Sequence, residues 1–330
     1  MATYKGIQGY SWQKGAADPT NTDAGQVWYN STTGKFKIAV QAAAGWASGG
    51  NMNSARQDGG AAGSQTACLA IGGYTGTAAM DIVEQYDGST WTELAADLNT
   101  AKYIAGTVGT TTNALAFGGN YPPPGSTETE SWNGTTWTEV GDLSHGRWAG
   151  SSLGSANTAA VYAGGQSAPA PIPKDLSETW NGTAWTEGNN LNTARFSVTG
   201  AGSTTAGIIA GGNVNPPTDY VPNVETYNGT SWTETTAIPT GDAGMGSASQ
   251  GTTTAAFFFG GTLPGPGTGG LFWNGSSWTT SPAMATPRTS NMQQGGTSTA
   301  ALAFGANPAV VTTEEYSDPA PIDTKTVTTS

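Results

Sequence analysis

Short apolar runs closed by a pair of glycines recur along the chain. CLAI, ALAF, AVYA, GIIA, AFFF and ALAF precede Gly72-Gly73, Gly118-Gly119, Gly164-Gly165, Gly211-Gly212, Gly260-Gly261 and a degenerate Gly305-Ala306, at spacings of 45 to 49 residues. After each comes a loop of variable composition, then an aromatic residue: Tyr86, Trp132, Trp180, Tyr227, Trp273 or Tyr316. In five copies a Trp follows five residues later, at Trp91, Trp137, Trp185, Trp232 and Trp278. No window carries apolar residues at helical spacing over three turns, so almost no helix is expected. A period of this length, built from runs too short for helices, predicts a repeated sheet of four short strands. The first strand is expected to begin at a basic residue (Arg56, Lys102, Arg147, Arg195, Arg288) and the second to end at the glycine pair. The third holds the aromatic residue and the fourth the Trp. Asn-Gly or Asp-Gly between these last two supplies the positive φ of a tight hairpin. Trp46, in GWASGGNMNSAR, has surroundings that match AWTEGNNLNTAR around Trp185. The sixth copy is therefore split between the two ends of the repeat region.

Four-stranded units of this length fit a radial array better than a stacked solenoid, and a split last copy is what circular closure requires. Closure removes exposed sheet edges. The order of apolar run, Gly-Gly, aromatic residue and Trp resembles the kelch repeat of β-propellers, from about Trp46 to Tyr316. The resemblance implies an all-β fold, a six-bladed kelch-like propeller with a split closing blade. The spacing in YNGTSW is shorter than kelch units usually show, which implies a shorter outer hairpin. The Gly-His and Trp-Asp signatures of WD40 repeats are absent.

Composition narrows the chemistry. The 330 residues carry a formal net charge of -12 with 11 Lys and Arg, so no basic stripe exists for nucleic acid. No apolar run approaches the length of a membrane span, and the first residues, MATYKGIQGYSW, lack the apolar core of a secretory signal. Cys68 falls in a slot otherwise filled by Ala114, Ala160, Gly207, Ala256 and Ala301, which marks it as a packing position. His145 is the only histidine. One histidine cannot supply the ligand set of the copper oxidases in the kelch group, nor is there a nucleophile elbow for a Ser-His-Asp mechanism. No cofactor and no metal is expected.

Acidic residues follow the period, at Glu84, Glu130, Glu178 and Glu225 before the aromatic residue and at Glu93, Glu139, Glu187 and Glu234 after the Trp. A catalytic carboxylate pair should break the repeat rather than follow it, so these point to structure. The four arginines all occupy one repeat position, unlike the arginine cluster of sialidases. The Asn-Gly-Thr triplets at Asn133, Asn181 and Asn228 match glycosylation sequons and are read as turns.

Departures from the repeat are where function is sought. One face should carry the proline-rich loops NYPPPGST, QSAPAPIPKDL, NVNPPTDYVPN and TLPGPGTGG. Proline stiffens such loops and lowers the ordering cost of binding, although it also blocks stray strand pairing. In three successive units an aromatic residue follows the cation: Tyr103 after Lys102, Trp148 after Arg147 and Phe196 after Arg195; Ala243 follows Asp242, where the cation is missing. These six residues, with His145 nearby, form a candidate patch for sugars or acidic protein segments. The alternative is that they pack between neighbouring sheets.

Residues 1–42 precede the repeats. GQVWYNSTTGKFKI, Gly25 to Ile38, alternates apolar and polar residues and turns at STTG, which predicts a hairpin. It is similar to short hairpin motifs in structural and fibre proteins of tailed bacteriophages. The expected organisation is an attachment segment at 1–42, the propeller at 43–317 and an extended tail at 318–330. The expected function is that of a non-enzymatic virion structural protein, as tail or fibre component or capsid appendage. Residues 1–42 would contact other virion proteins and a propeller face a host glycan or protein, with no nucleic acid and no membrane insertion. A stand-alone lectin-like or peptide-binding propeller is the alternative, and a glycan-processing enzyme a third.

Overall fold

The computed structural model describes residues 13–19, 25–41, 43–120, 125–168, 172–214, 219–262, 265, 267–289, 293–318 and 322–327. The described residues contain strands and turns and no α-helix. They divide into two units, Trp46–Tyr316 and a smaller one of Met1–Gly45 with Ser317–Ser330.

The larger unit consists of repeated antiparallel sheets. Repeat 1 runs Gly60–Gly63, Cys68–Tyr74, Ala79–Tyr86 and Trp91–Glu93, and repeat 2 runs Gly106–Gly109, Ala114–Phe117, Thr129–Trp132 and Trp137–Glu139. Repeat 3 has Ser151–Ala156, Ala159–Ala163, Ser177–Trp180 and Trp185–Glu187; repeat 4 has Thr199–Ser203, Ala206–Ala210, Val224–Tyr227 and Trp232–Thr235. Repeat 5, of Met245–Ala248, Ala256–Gly260, Gly270–Trp273 and Trp278–Thr280, joins repeat 6 in one eight-stranded sheet. The joint is a short parallel pairing, Ser247 with Gln293 and Ala248 with Gln294. Repeat 6 takes Gln293–Thr297, Ala300–Phe304 and Thr313–Ser317 from one end of the chain and Gly45–Ser48 from the other. The first strands of successive repeats pack side by side, and Gln293–Thr297 lies against both Met245–Ala248 and Gly60–Gly63.

The hairpin between third and fourth strands is held by its Asn or Asp side chain. Asn133 Oδ1 accepts the N–H groups of Thr135 and Thr136, both at 2.9 Å. Asp87, Asn181, Asn228 and Asn274 repeat the arrangement. The glycine alone takes the positive φ, 93 to 94° in all five. The positive φ expected of the Asn-Gly or Asp-Gly pair thus falls on the glycine, while the Asn or Asp side chain caps the turn. For Asp87, those bonds hold the carboxyl down to about 2.

The two aromatic residues that flank each hairpin meet across the strands, from Tyr227 on Trp232 at 4.7 Å to Trp180 on Trp185 at 5.6 Å. The fourth-strand Trp also reaches the neighbouring repeat. Trp185 packs on Phe117 at 4.7 Å and donates Nε1–H to Thr129; Trp91 packs on Phe304 at 4.9 Å and donates to Thr313. Such aromatic pairs stabilise by about 1 kcal/mol beyond the apolar area they bury. Buried clusters accordingly straddle repeats 1 and 2, 2 and 3, 3 and 4, 4 and 5, and 6 and 1.

One feature of the backbone links the repeats without side chains. Asp58, Ile104, Ala149 and Ser197 have φ between 53 and 59°, and Gly244 has 62°. Each lies two residues after the repeat's cation or, for Gly244, after Asp242. Ile104 N–H donates to Asp58 O at 2.7 Å, Ala149 to Ile104 O at 3.2 Å, Ser197 to Ala149 O at 2.7 Å and Gly244 to Ser197 O at 3.1 Å. The left-handed residues form a relay of hydrogen bonds from repeat to repeat, which is what fixes so unfavourable a conformation on a β-branched residue such as Ile104.

In the smaller unit Val27–Asn30 and Lys35–Gln41 form a hairpin turned at residues 31–34. Gln13–Gly15 adds in parallel and Ile322–Thr326 antiparallel. Asp18 ties it together, accepting from Trp28 Nε1 at 3.0 Å and Asn30 Nδ2 at 2.7 Å and pairing with Lys37. The Lys37 bond, followed by those of Asn30 and Trp28, holds its carboxyl down to about 2. Within the extended tail expected at 318–330, Ile322–Thr326 forms a strand of this sheet.

Candidate functional site

The repeated cation precedes its first strand by a few residues instead of beginning it. Arg56 lies before Gly60–Gly63, with the left-handed Asp58 between them, and its side chain is buried within the repeat. There Arg56 Nη1 donates to the carbonyls of Gly72 at 2.7 Å and Ile82 at 3.1 Å, and Nη2 reaches Glu84 Oε1 at 2.6 Å. Glu84 in turn accepts from the backbone N–H of Asn53 and Ser54 at 2.7 and 3.1 Å. The same knot recurs as Lys102 with Glu130 at 2.9 Å, Arg147 with Glu178, Arg195 with Glu225 at 2.9 Å and Arg288 with Glu314 at 3.2 Å. Burial lowers the pKa of Arg56, Arg195 and Arg288, and the facing glutamate opposes the shift.

This corrects the candidate patch. Lys102, Arg147 and Arg195 are 1%, 0% and 0% exposed, so none presents charge to a ligand. Their positive charge is committed to glutamates about thirty residues on. Of the aromatic residues, Phe196 is buried, while Tyr103 and Trp148 are half-buried. Tyr103 stacks on Tyr74 of the preceding repeat at 4.8 Å and accepts at Oη from Asn120 Nδ2 at 3.1 Å. Trp148 bridges to Gln166 through its backbone, and Gly125 lies so close to its ring that a Cβ there would approach within 2.9 Å. Among the described residues no ring contact joins Tyr103, Trp148 and Phe196. His145 is exposed, 3.3 Å from Glu187, beside a cleft of about 130 Å³ with Lys174 and Ser167. The four side chains lie along three repeats without converging. The proline loops fall partly on 121–124, 169–171, 215–218, 263–264 and 266, outside the described residues.

Repeat 5 departs from the others in a way that makes a site. Asp242 stands where the cation belongs, Leu271 where the glutamate belongs, and Pro239 where Asn53, Asn99, Ser144, Asn192 or Ala285 donates its N–H to that glutamate. All three partners of the knot are replaced together. The space they vacate opens as a cavity of about 600 Å³, within the range of small-ligand sites. Asp242, Leu271, Met245, Phe258, Gly260 and Gly269 are among its walls. Asp242 Oδ1 accepts the N–H groups of Ala243 at 2.7 Å and Thr262 at 2.8 Å, which hold the carboxylate in place. Sequence reasoning noted the missing cation but not its missing glutamate; comparing the two columns would have found the site.

The thiol and the glutamates that face the repeated cations are shut in, while Glu93, Glu139, Glu187 and Glu234 are exposed. Cys68 is fully buried and desolvation pushes its thiol up to about 12. Glu84, Glu130, Glu178, Glu225 and Glu314 are each closed in a buried ion pair. No protein-family model matches the chain, and no curated protein is significantly similar to it. The resemblance to kelch repeats stands on the register of the repeat alone.

Proposed function

We propose that Trp46–Tyr316 is a six-bladed kelch-like β-propeller, its sixth blade completed by Gly45–Ser48. The cyclic order in which the first strands pack supports that architecture. The chain then serves as a non-enzymatic structural protein of a bacteriophage particle, binding a host surface or a neighbouring subunit through its loop-bearing face. The observation that carries a binding role over a catalytic one is the closure of every repeated cation and its glutamate in a framework knot. What varies from repeat to repeat is then left to loops and to repeat 5. The virion setting rests on the hairpin of Val27–Asn30 and Lys35–Gln41, which Asp18 and Ile322–Thr326 make a folded module suited to attachment.

The test is electron microscopy of phage particles from the source lysate, labelled with an antibody against the chain. Label at tail or fibre tips supports host recognition, and label over the head makes the protein a capsid appendage. Particles without label remove the virion reading. A stand-alone binding module is the second reading, favoured by the repeat-5 cavity, and it requires the isolated chain to hold a ligand.

A further inference from the structure

The five intact knots show what the backbone around the repeat-5 cavity is shaped to hold. In repeats 1, 4 and 6 two carbonyls receive the guanidinium: that of the first glycine of the pair and that of the residue two before the glutamate. Arg56 uses Gly72 and Ile82, Arg195 uses Gly211 and Asn223, both at 2.7 Å, and Arg288 uses Gly305 and Thr312. In repeat 5 the corresponding residues are Gly260 and Gly269, and both line the cavity. Asn223 O takes the Gly211 N–H and the guanidinium together; among the described residues, Gly269 O takes the equivalent Gly260 N–H, at 2.8 Å. Asp242 brings a carboxylate to the same wall, and the partly exposed Leu271, beside the largely buried Met245, offers apolar surface for a methylene stem. Pro239 removes one of the two backbone donors that greet a carboxylate in the other repeats. Anions are therefore disfavoured, and a planar cation with several donors matches the acceptors.

We infer that the repeat-5 cavity is a receptor for a guanidinium group supplied from outside, carried by an arginine side chain of a partner protein or by a small free guanidine. The chain's own repeat furnishes the template, with the cation moved from the same chain to a ligand. The net charge of -12 assists approach of such a group. The inference concerns the isolated chain and stands or falls apart from any location on a particle.

The experiment uses the full chain labelled with ¹³C at its methionine methyls, six in all, with Met245 assigned through Met245→Leu. Methylguanidinium, an acetyl-Gly-Arg-Gly amide and the same peptide with citrulline are titrated in turn. Saturable displacement of the Met245 signal by the guanidinium probes and none by citrulline, whose side chain is uncharged, is the expected result. Asp242→Asn should weaken binding at least about tenfold, the loss of one charge-assisted bond. Asp242→Arg with Leu271→Glu should abolish it by filling the slot from within; should that variant fail to fold, Asp242→Asn carries the test. Tighter binding of the arginine peptide assigns the group to a partner protein, and equal or tighter binding of methylguanidinium to a free guanidine. An unmoved Met245 signal, or citrulline binding as well as arginine, overturns the inference.

Discussion

Repeats 4 and 5 are neighbours built on one plan, yet one holds a buried ion pair and the other a cavity. In repeat 4 Arg195 reaches two carbonyls and Glu225, and Glu225 reaches back to Asn192. In repeat 5 the three corresponding positions are Asp242, Leu271 and Pro239, and the hairpin, the Gly-Gly turn and the aromatic pair Trp273–Trp278 persist around them. The fold therefore does not need the knot in every repeat. What it cannot tolerate is half a knot, because a buried charge without its partner keeps the desolvation cost and loses the attraction.

The sharpest break of the comparison is Glu225→Leu alone. It strands Arg195 in the core and should cost about 3–5 kcal/mol in equilibrium unfolding by denaturant. Asp242→Leu in repeat 5 should cost about 1 kcal/mol, since Asp242 accepts the local N–H groups of Ala243 and Thr262 at the edge of an open cavity. A smaller effect, of opposite sign, is expected from Ile104→Gly, which copies the glycine that repeat 5 has at the left-handed position. Relief of the β-branched residue outweighs the entropy of glycine by less than about 1 kcal/mol, read as a rise in unfolding midpoint.

Two measurements act as controls away from repeat 5. Cys68, its thiol raised to about 12 by burial, should resist thiol reagents at pH 8 in the native chain and react once unfolded. Asp18 has a folded pKa below its ordinary 3.8, so its contribution is fully present above that value. It is lost as pH falls towards about 2, and the Trp28 indole proton signal should shift in that window.

The strand order was legible because its signals are local. Gly-Gly pairs take φ values from 57 to 120°, and Asn-Gly turns close within four residues. The role of the cation was not legible in the same way. Arg56 meets a glutamate 28 residues later and Arg147 one 31 residues later, so a reading of Lys102, Arg147 and Arg195 beside their aromatic neighbours suggested a surface. Tyr103 likewise finds its partner, Tyr74, in another repeat. The pairing of Ile322–Thr326 with Lys35–Gln41 spans nearly the whole chain and leaves no mark in either segment's own pattern. The repeat-5 cavity lay in between: each departure is visible in the sequence, and only their meeting in space makes them one site.

The most direct test of this account is the stability of repeat 4 when it is rewritten as repeat 5. Arg195→Asp and Glu225→Leu are made singly and together, and unfolding free energies are compared. The account predicts that the double variant is more stable than either single variant although it carries both changes, because the knot is removed whole. A double variant as unstable as the sum of the two would contradict it, showing that the positions do not act as a unit and that repeat 5 owes its cavity to something other than the missing pair.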